Sequence, residues 1–228
     1  MKFVKRILLP MILLLLASIA FLTFALARNV KNKTDNKASV TQENKALSIS
    51  NLTNINPNDY DSIIKNEYAL ANLRSKESNS GNELSAIDIE IAPDLMPSSV
   101  ISRYVFSASN DQTNNWTMTF SEVNTNFIRA TIPKEDYIGS LTAINTKLWK
   151  FNFVTSLQIA EKNGGMKWRE TNELASIRIT LRHVEPKNWL LWLVQYKNDG
   201  SSLLIKIDAN SGRVVDDSDS LASTSINQ

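Results

Sequence analysis

The side chains best suited to chemistry are few. His183 is the only histidine and cysteine is absent, which excludes thiol catalysis, a lipoprotein cysteine, cysteine zinc sites and any histidine-rich metal centre. A Ser-His-Asp arrangement would have to draw its base from His183 alone. No nucleophile motif accompanies that residue, so it reads as a half-buried structural imidazole at a strand end beside a turn. Glu170, Glu173 and Glu185 carry carboxyls that could pair as acid and base, but nothing in their spacing forces them together and surface charge is the simpler reading. Gly164-Gly165 lacks the further glycines and the lysine of a phosphate-binding loop and reads as a helix stop. The expectation is a chain without catalytic residues, cofactor or metal.

Binding chemistry is better represented. Trp189 and Trp192 lie three apart in a strand-like run and fall on opposite faces, because side chains alternate along a strand. One belongs to the core, and the other is free to line a groove for a peptide or glycan. Arg178, Thr180 and Arg182 alternate with Ile177, Ile179 and Leu181. That puts a basic stripe on a wet face, either simply solvated or suited to an anionic envelope polymer or a carboxylate-bearing partner. Trp189, Trp192, Arg178 and Arg182 are the candidate partner-binding residues.

Delivery is read from the first residues. Residues 7–27 carry no charge, and as a helix rising about 1.5 Å per residue they span roughly 30 Å, the thickness of a bilayer's hydrocarbon core. Lys2, Lys5 and Arg6 precede the segment and Arg28, Lys31 and Lys33 follow it, so charge alone does not orient it. The short leading segment favours N-in, C-out insertion. The run exceeds the usual signal-peptide core, which supports a retained anchor; Ala25-Leu26-Ala27 has the form of a cleavage site and supplies the alternative, secretion after cleavage near Ala27. Both place the remainder outside the membrane.

The chain has 228 residues, and its formal charge of +2 conceals an asymmetry. Lys2, Lys5 and Arg6 are three of its 25 basic residues, and all 23 acidic residues follow the apolar segment, leaving 22 basic against 23 acidic beyond it. Such a balance gives no basic footprint for nucleic acid, and no nucleic-acid partner is expected.

Beyond the anchor, residues 28–56 are rich in Asn, Lys, Thr and Ser and read as a flexible stalk. Asn56-Pro57 opens a helix along Tyr60, Ile63, Ile64, Tyr68 and Ala71 to about Ser75, followed by a loop over 75–85. Strands follow at Ile87, Ile89 and Ile91, within 101–107, at Trp116, Met118 and Phe120, and within 127–132. The spacing of Leu141, Ile144 and Leu148 predicts a helix capped by Ser140, and a further helix runs over 154–162. Strands return at Ile177 to Leu181, along 189–196 as a central strand covered on both faces, and at Leu203, Ile205 and Ile207 after the Asn198-Asp199-Gly200 turn. A short last strand spans 213–215, and a disordered tail follows.

The order of a helix ending in Gly164-Gly165, then Trp189-Leu190-Leu191-Trp192-Leu193-Val194-Gln195-Tyr196, then Ile207-Asp208-Ala209-Asn210-Ser211-Gly212-Arg213-Val214-Val215, resembles the PepSY-type domain over residues 153–216. The resemblance implies a bacterial exported or anchored module of a helix packed on an antiparallel sheet. Such modules are proposed to restrain peptidases or bind envelope partners, and no catalytic residues come with them. Asp208, Gly212, Ile207 and Val214 would be structural residues of the turn and core.

The expected fold is therefore α+β, with antiparallel sheets each packed against a helix, PepSY-like in its C-terminal part and preceded by a transmembrane helix. Its parts are residues 1–6 in the cytoplasm, 7–27 as the anchor, 28–56 as the stalk, 57–150 and 151–216 as two α+β parts, and 217–228 as the tail. The expected role is a non-enzymatic binding or regulatory module acting on an envelope partner such as a peptidase or cell-wall enzyme. The alternative is a scaffold subunit of a bacterial secretion or conjugation apparatus.

Overall fold

The computed structural model describes residues 51–121, 124–137, 141–172 and 176–216. Segments 7–27 and 28–50, Ser140, Glu173 and the tail beyond residue 216 lie outside the described residues. Among the described residues, no helix is long and apolar enough to cross a membrane.

Among the described residues period-two sequence dominates and gives seven strands: β1 (Glu83–Ile91), β2 (Ile101–Ser107), β3 (Asn114–Ser121), β4 (Asn124–Pro133), β5 (Ser176–Val184), β6 (Trp189–Lys197) and β7 (Ser202–Asp208). They form one antiparallel sheet in the order β4-β3-β2-β1-β5-β6-β7. This overturns the expected α+β arrangement of separate sheets, each with its own helix. The described fold is mostly β, because β1 and β5 pair over six residues each, Ile91 opposite Ile177 through Ala86 opposite Arg182, and fuse the two halves.

One face carries the core. Ile87, Ile89, Ile91, Tyr104, Phe106, Met118, Ile177, Ile179, Leu181, Trp192, Val194, Tyr196, Ile205 and Ile207 are buried there. Helix α1 (Asn58–Ser78) lays Tyr60, Ile64 and Ala71 on it, and helix α2 (Phe153–Ala160) covers the β6 and β7 side with Val154 and Leu157. Asn152 caps α2 by accepting from the Val154 and Thr155 amides, while its own amide donates to Pro57 O and Asp61 Oδ1 at the start of α1. Both helix starts are thus tied together.

Several expectations change. Leu52 and Ile55, assigned to the stalk, are buried in the core, and Leu52 N donates to Leu95 O at 3.0 Å. The helix expected over Leu141 to Leu148 is only a single turn, Thr146–Leu148. Gly164-Gly165 does interrupt the helix as expected, Asn163 and Gly164 leaving helical backbone angles, but a second short helix, α3 (Met166–Thr171), follows at once. Instead of a full last strand, Val214 makes one isolated bridge to Ile207. Strand β6 is next to the edge strand rather than central, although Trp192 and Leu191 are buried on its two faces.

The two halves repeat one pattern. Asn82-Glu83-Leu84-Ser85-Ala86-Ile87-Asp88-Ile89-Glu90-Ile91 matches Asn172-Glu173-Leu174-Ala175-Ser176-Ile177-Arg178-Ile179-Thr180-Leu181 at five of ten positions. The equivalent residues Ile89 and Ile179 pair directly, so the repeat is related by a local two-fold axis through that pair. Packing obeys it. Tyr104 lies opposite Ile87 and donates to Glu67 of α1 at 3.0 Å; Tyr196 lies opposite Ile177 and donates to Glu161 at 2.8 Å.

These buried phenols predict an alkaline limit. Burial, reinforced by the Glu67, Asp88 and Glu161 carboxylates respectively, raises Tyr104, Tyr137 and Tyr196 above the phenol's ordinary value of 10.0, and burial alone raises Tyr68. Below that value every phenol is protonated in both states and nothing is lost. Above it, the unfolded chain ionises first, so stability falls as pH rises, by roughly 1.4 kcal/mol per pH unit for each of Tyr104, Tyr137 and Tyr196 while it is held protonated. Urea midpoints are expected to drop steeply from about pH 10 upward, and Tyr137→Phe is expected to make the drop shallower. A flat profile there would contradict the burial of these hydroxyls.

Candidate functional site

The second face of the sheet presents the polar positions of the same strands. Strands β2, β1, β5 and β6 place Arg103, Asp88, Thr180 and Leu193 in one row across it, and Ile101, Glu90, Arg178 and Gln195 in the next. Asp88 is buried at 6% exposure, a costly position for a carboxylate without partners. Three groups satisfy it. Thr180 Oγ1 donates to Oδ1 at 2.8 Å, Tyr137 Oη donates to Oδ2 at 2.9 Å, and Arg178 Nη2 lies 3.3 Å from Oδ2.

Tyr137 arrives from the crossover that leaves edge strand β4. That segment is pinned to β1 twice, by the Tyr137 hydroxyl on Asp88 and by Ile144 N donating to Leu84 O at 2.7 Å. Between those points Ala86 and its β2 neighbour Val105 are fully buried. The other side of the two-fold axis is open. There Asp88, Glu90, Ile101, Arg103, Ser176, Arg178, Gln195 and Lys197 line a groove of about 290 Å³.

Of the four candidate residues, three share this face. Arg178 and Arg182 stand on it as expected, and Trp189 lies on it at the end of β6 with Lys187 Nζ 4.5 Å from its ring centre. Trp192 does not: it is 1% exposed on the helix-covered face, donates to Phe151 O at 3.3 Å and packs against Trp149. The alternation rule thus separates the two tryptophans as read. Strand β5 brings Arg178 to a carboxylate within its own molecule, an acid-base pair across the axis that spacing within β5 could not reveal.

The remaining residues singled out for chemistry stay apart. His183 Nδ1 lies 2.8 Å from Asn188 O beside a tight turn, and Glu170 and Glu185 are exposed on α3 and on the β5–β6 turn. Among the described residues no group of His, Asp and Glu is placed to hold a metal ion. Asp88, Tyr137, Arg103 and Lys197 escaped the sequence reading. The repeat at residues 82–91 and 172–181 was the available clue, because it aligns Asp88 with Arg178 and brings both to the axis.

No protein-family model and no curated protein matches the chain. Among solved structures it is similar to the crystal structure of a proposed lipoprotein from Clostridium difficile 630, at 13% identity and a TM-score of 0.41, over 73% of this chain and 96% of that one. That likeness is too loose to carry an argument.

Proposed function

We propose that the chain is a non-enzymatic binding or regulatory module, held at the outer side of a membrane by residues 7–27, that engages a protein partner of the cell envelope such as a peptidase or cell-wall enzyme. One observation carries the reading: a wide sheet with one face sealed by helices leaves part of its other face open as a groove lined by Arg178, with Arg182 half-buried and Trp189 partly exposed elsewhere on that face. Sheets of this kind recognise partners through main-chain pairing at an edge and through pockets for side chains. The uncharged segment 7–27 and the PepSY resemblance over 153–216 support the same role.

Crosslinking the full chain in its native envelope tests it. Recovery of one partner protein is expected, with a reporter fused behind Gln228 facing away from the cytosol. Several co-purifying membrane subunits would favour the scaffold role instead, and a reporter facing the cytosol would exclude both.

A further inference from the structure

We infer that the open edge of the sheet, strand β4, is an interface between two copies of this chain, which pair there antiparallel about a two-fold axis at Ala130. The inference goes beyond the proposed role and does not depend on it.

The two edges of the sheet end differently. Beyond β7, Asp208 N donates to Arg213 O at 2.9 Å and Val215 N to Lys206 O at 2.8 Å, so the returning chain covers the last part of that edge. Strand β4 ends the sheet on the other side, with no strand beyond it among the described residues. Ile128, Arg129, Ala130 and Thr131 are all exposed there, and Ile128, at 69%, is the most exposed large apolar side chain among the described residues. Proteins blunt open edges with lysine, proline or a bulge. Between Phe127 and Ile132 strand β4 has none of these.

The free main-chain groups can be assigned. Lys134 N donates to Thr113 O at 2.8 Å, just past the end of the β3–β4 ladder. Bonded and non-bonded pairs alternate along an antiparallel ladder, so in the same register Ile132, Ala130 and Ile128 bond to Asn115, Thr117 and Thr119. Phe127, Arg129 and Thr131 therefore turn their N–H and C=O groups to the open edge, and Pro133 turns its C=O there.

Pairing about Ala130 fits main chain and side chains together. Arg129 bonds Thr131 of the second copy in both directions, and the Phe127 N–H meets the Pro133 carbonyl. On the face that bears Thr117 and Thr119, Ile128 meets Ile132 of the second copy, with the small Ala130 side chains at the axis. On the other face Arg129 meets Thr131, so no like charges confront each other. The run Ile128-Arg129-Ala130-Thr131-Ile132 has the same pattern of apolar and polar residues in both directions, the self-complementarity that a two-fold interface requires. A strand from a different protein would need no such symmetry. Strands β1 and β5 already join the two halves of one chain in this manner, with the equivalents Ile89 and Ile179 paired.

Because the chain has no cysteine, a single introduced thiol reports the register. Membranes bearing the full chain are treated with copper phenanthroline as oxidant, and the disulfide-linked dimer is read on a gel. Ala130→Cys is expected to link about tenfold faster than Leu204→Cys, an exposed position on the opposite edge, because self-paired Cα atoms stand about 4.5 Å apart, within disulfide reach. Ile128→Cys and Ile132→Cys are expected to link when the two variants are co-expressed and not singly, since roughly 13 Å of extended chain separates Ile128 from its own symmetry mate. In the Ala130→Cys chain, Thr131→Pro removes an outward N–H and spares the bonds to β3, while Ile128→Lys sets a charge on the edge at an exposed position that tolerates it. Each is expected to slow linking about tenfold, and Ile128→Lys, checked for an unchanged urea midpoint, decides the matter if Thr131→Pro does not fold. The inference is overturned if Ala130→Cys links no faster than Leu204→Cys, if Ile128→Cys alone links as fast as Ala130→Cys, if Ile128→Lys leaves the rate unchanged, or if the Ala130→Cys thiol links to a different protein in place of its own kind. Capture of an envelope partner without linking at β4 would remove the dimer and leave the proposed role standing.

Discussion

Replacing Trp192 by alanine is expected to lower the unfolding free energy by about 3–5 kcal/mol, the range for deleting a large buried aromatic. The residue is 1% exposed, its ring centre lies 6.4 Å from that of Trp149, and its indole N–H is satisfied by Phe151 O. The same change at Trp189 removes a partly exposed ring and one cation–π contact, and is expected to cost about 1 kcal/mol or less. Urea unfolding of the two variants measures the contrast. Equal losses would mean that the faces of β6 are misassigned, and with them the open face that carries the proposed role.

Gly165→Ala is expected to cost about 2–4 kcal/mol, through overpacking and disruption of a buried charge network. A Cβ at Gly165 would meet Tyr196 Oη at 2.3 Å, Tyr196 Cζ at 2.5 Å and Ala160 O at 3.0 Å. That hydroxyl cannot swing away cheaply. It donates to the buried Glu161 carboxylate, which also receives Arg169 through Nε at 3.1 Å and through a second, shorter contact from Nη2. Gly164→Ala is the control: its Cβ would meet nothing within 4 Å, and only its φ of +116° opposes a side chain, at about 1–2 kcal/mol. If the two variants unfold at the same midpoint, the close approach of Tyr196 does not govern this turn.

The two glycines also show where sequence reasoning stops. Locally Gly164-Gly165 has the chemistry of a helix end, and Gly164 does take the positive φ that such an end uses. What the pair does not disclose is Tyr196, 31 positions later, whose hydroxyl claims the space a side chain at Gly165 would fill. Short-range patterns were read correctly where they were self-sufficient. The alternation in Ile87 to Ile91 and Ile177 to Leu181, the Asn198-Asp199-Gly200 hairpin and the Pro57 helix start all appear in the structure near their expected places. The joining of β1 to β5 was not legible strand by strand, since pairing across 90 positions leaves no mark within either strand. Leu141 to Leu148 failed for a related reason. Its apolar spacing matches a helix, but Ile144 is held by a main-chain bond to Leu84, and the segment serves as a crossover. Of the candidate site, β5 and β6 disclosed Arg178, Arg182 and Trp189, while Asp88, Tyr137, Arg103 and Lys197 depend on neighbours that only the assembled sheet provides.

The pair formed by Asp88 and Arg178 occupies equivalent positions on either side of the local axis. Two separate identical subunits meeting along this seam would be forced to confront like with like there, acid against acid or base against base. Joining both copies in one polypeptide lifts that constraint. Each copy is then free to specialise, one supplying the anion and the other the cation, and the molecule gains an asymmetric surface that no self-matched assembly could present.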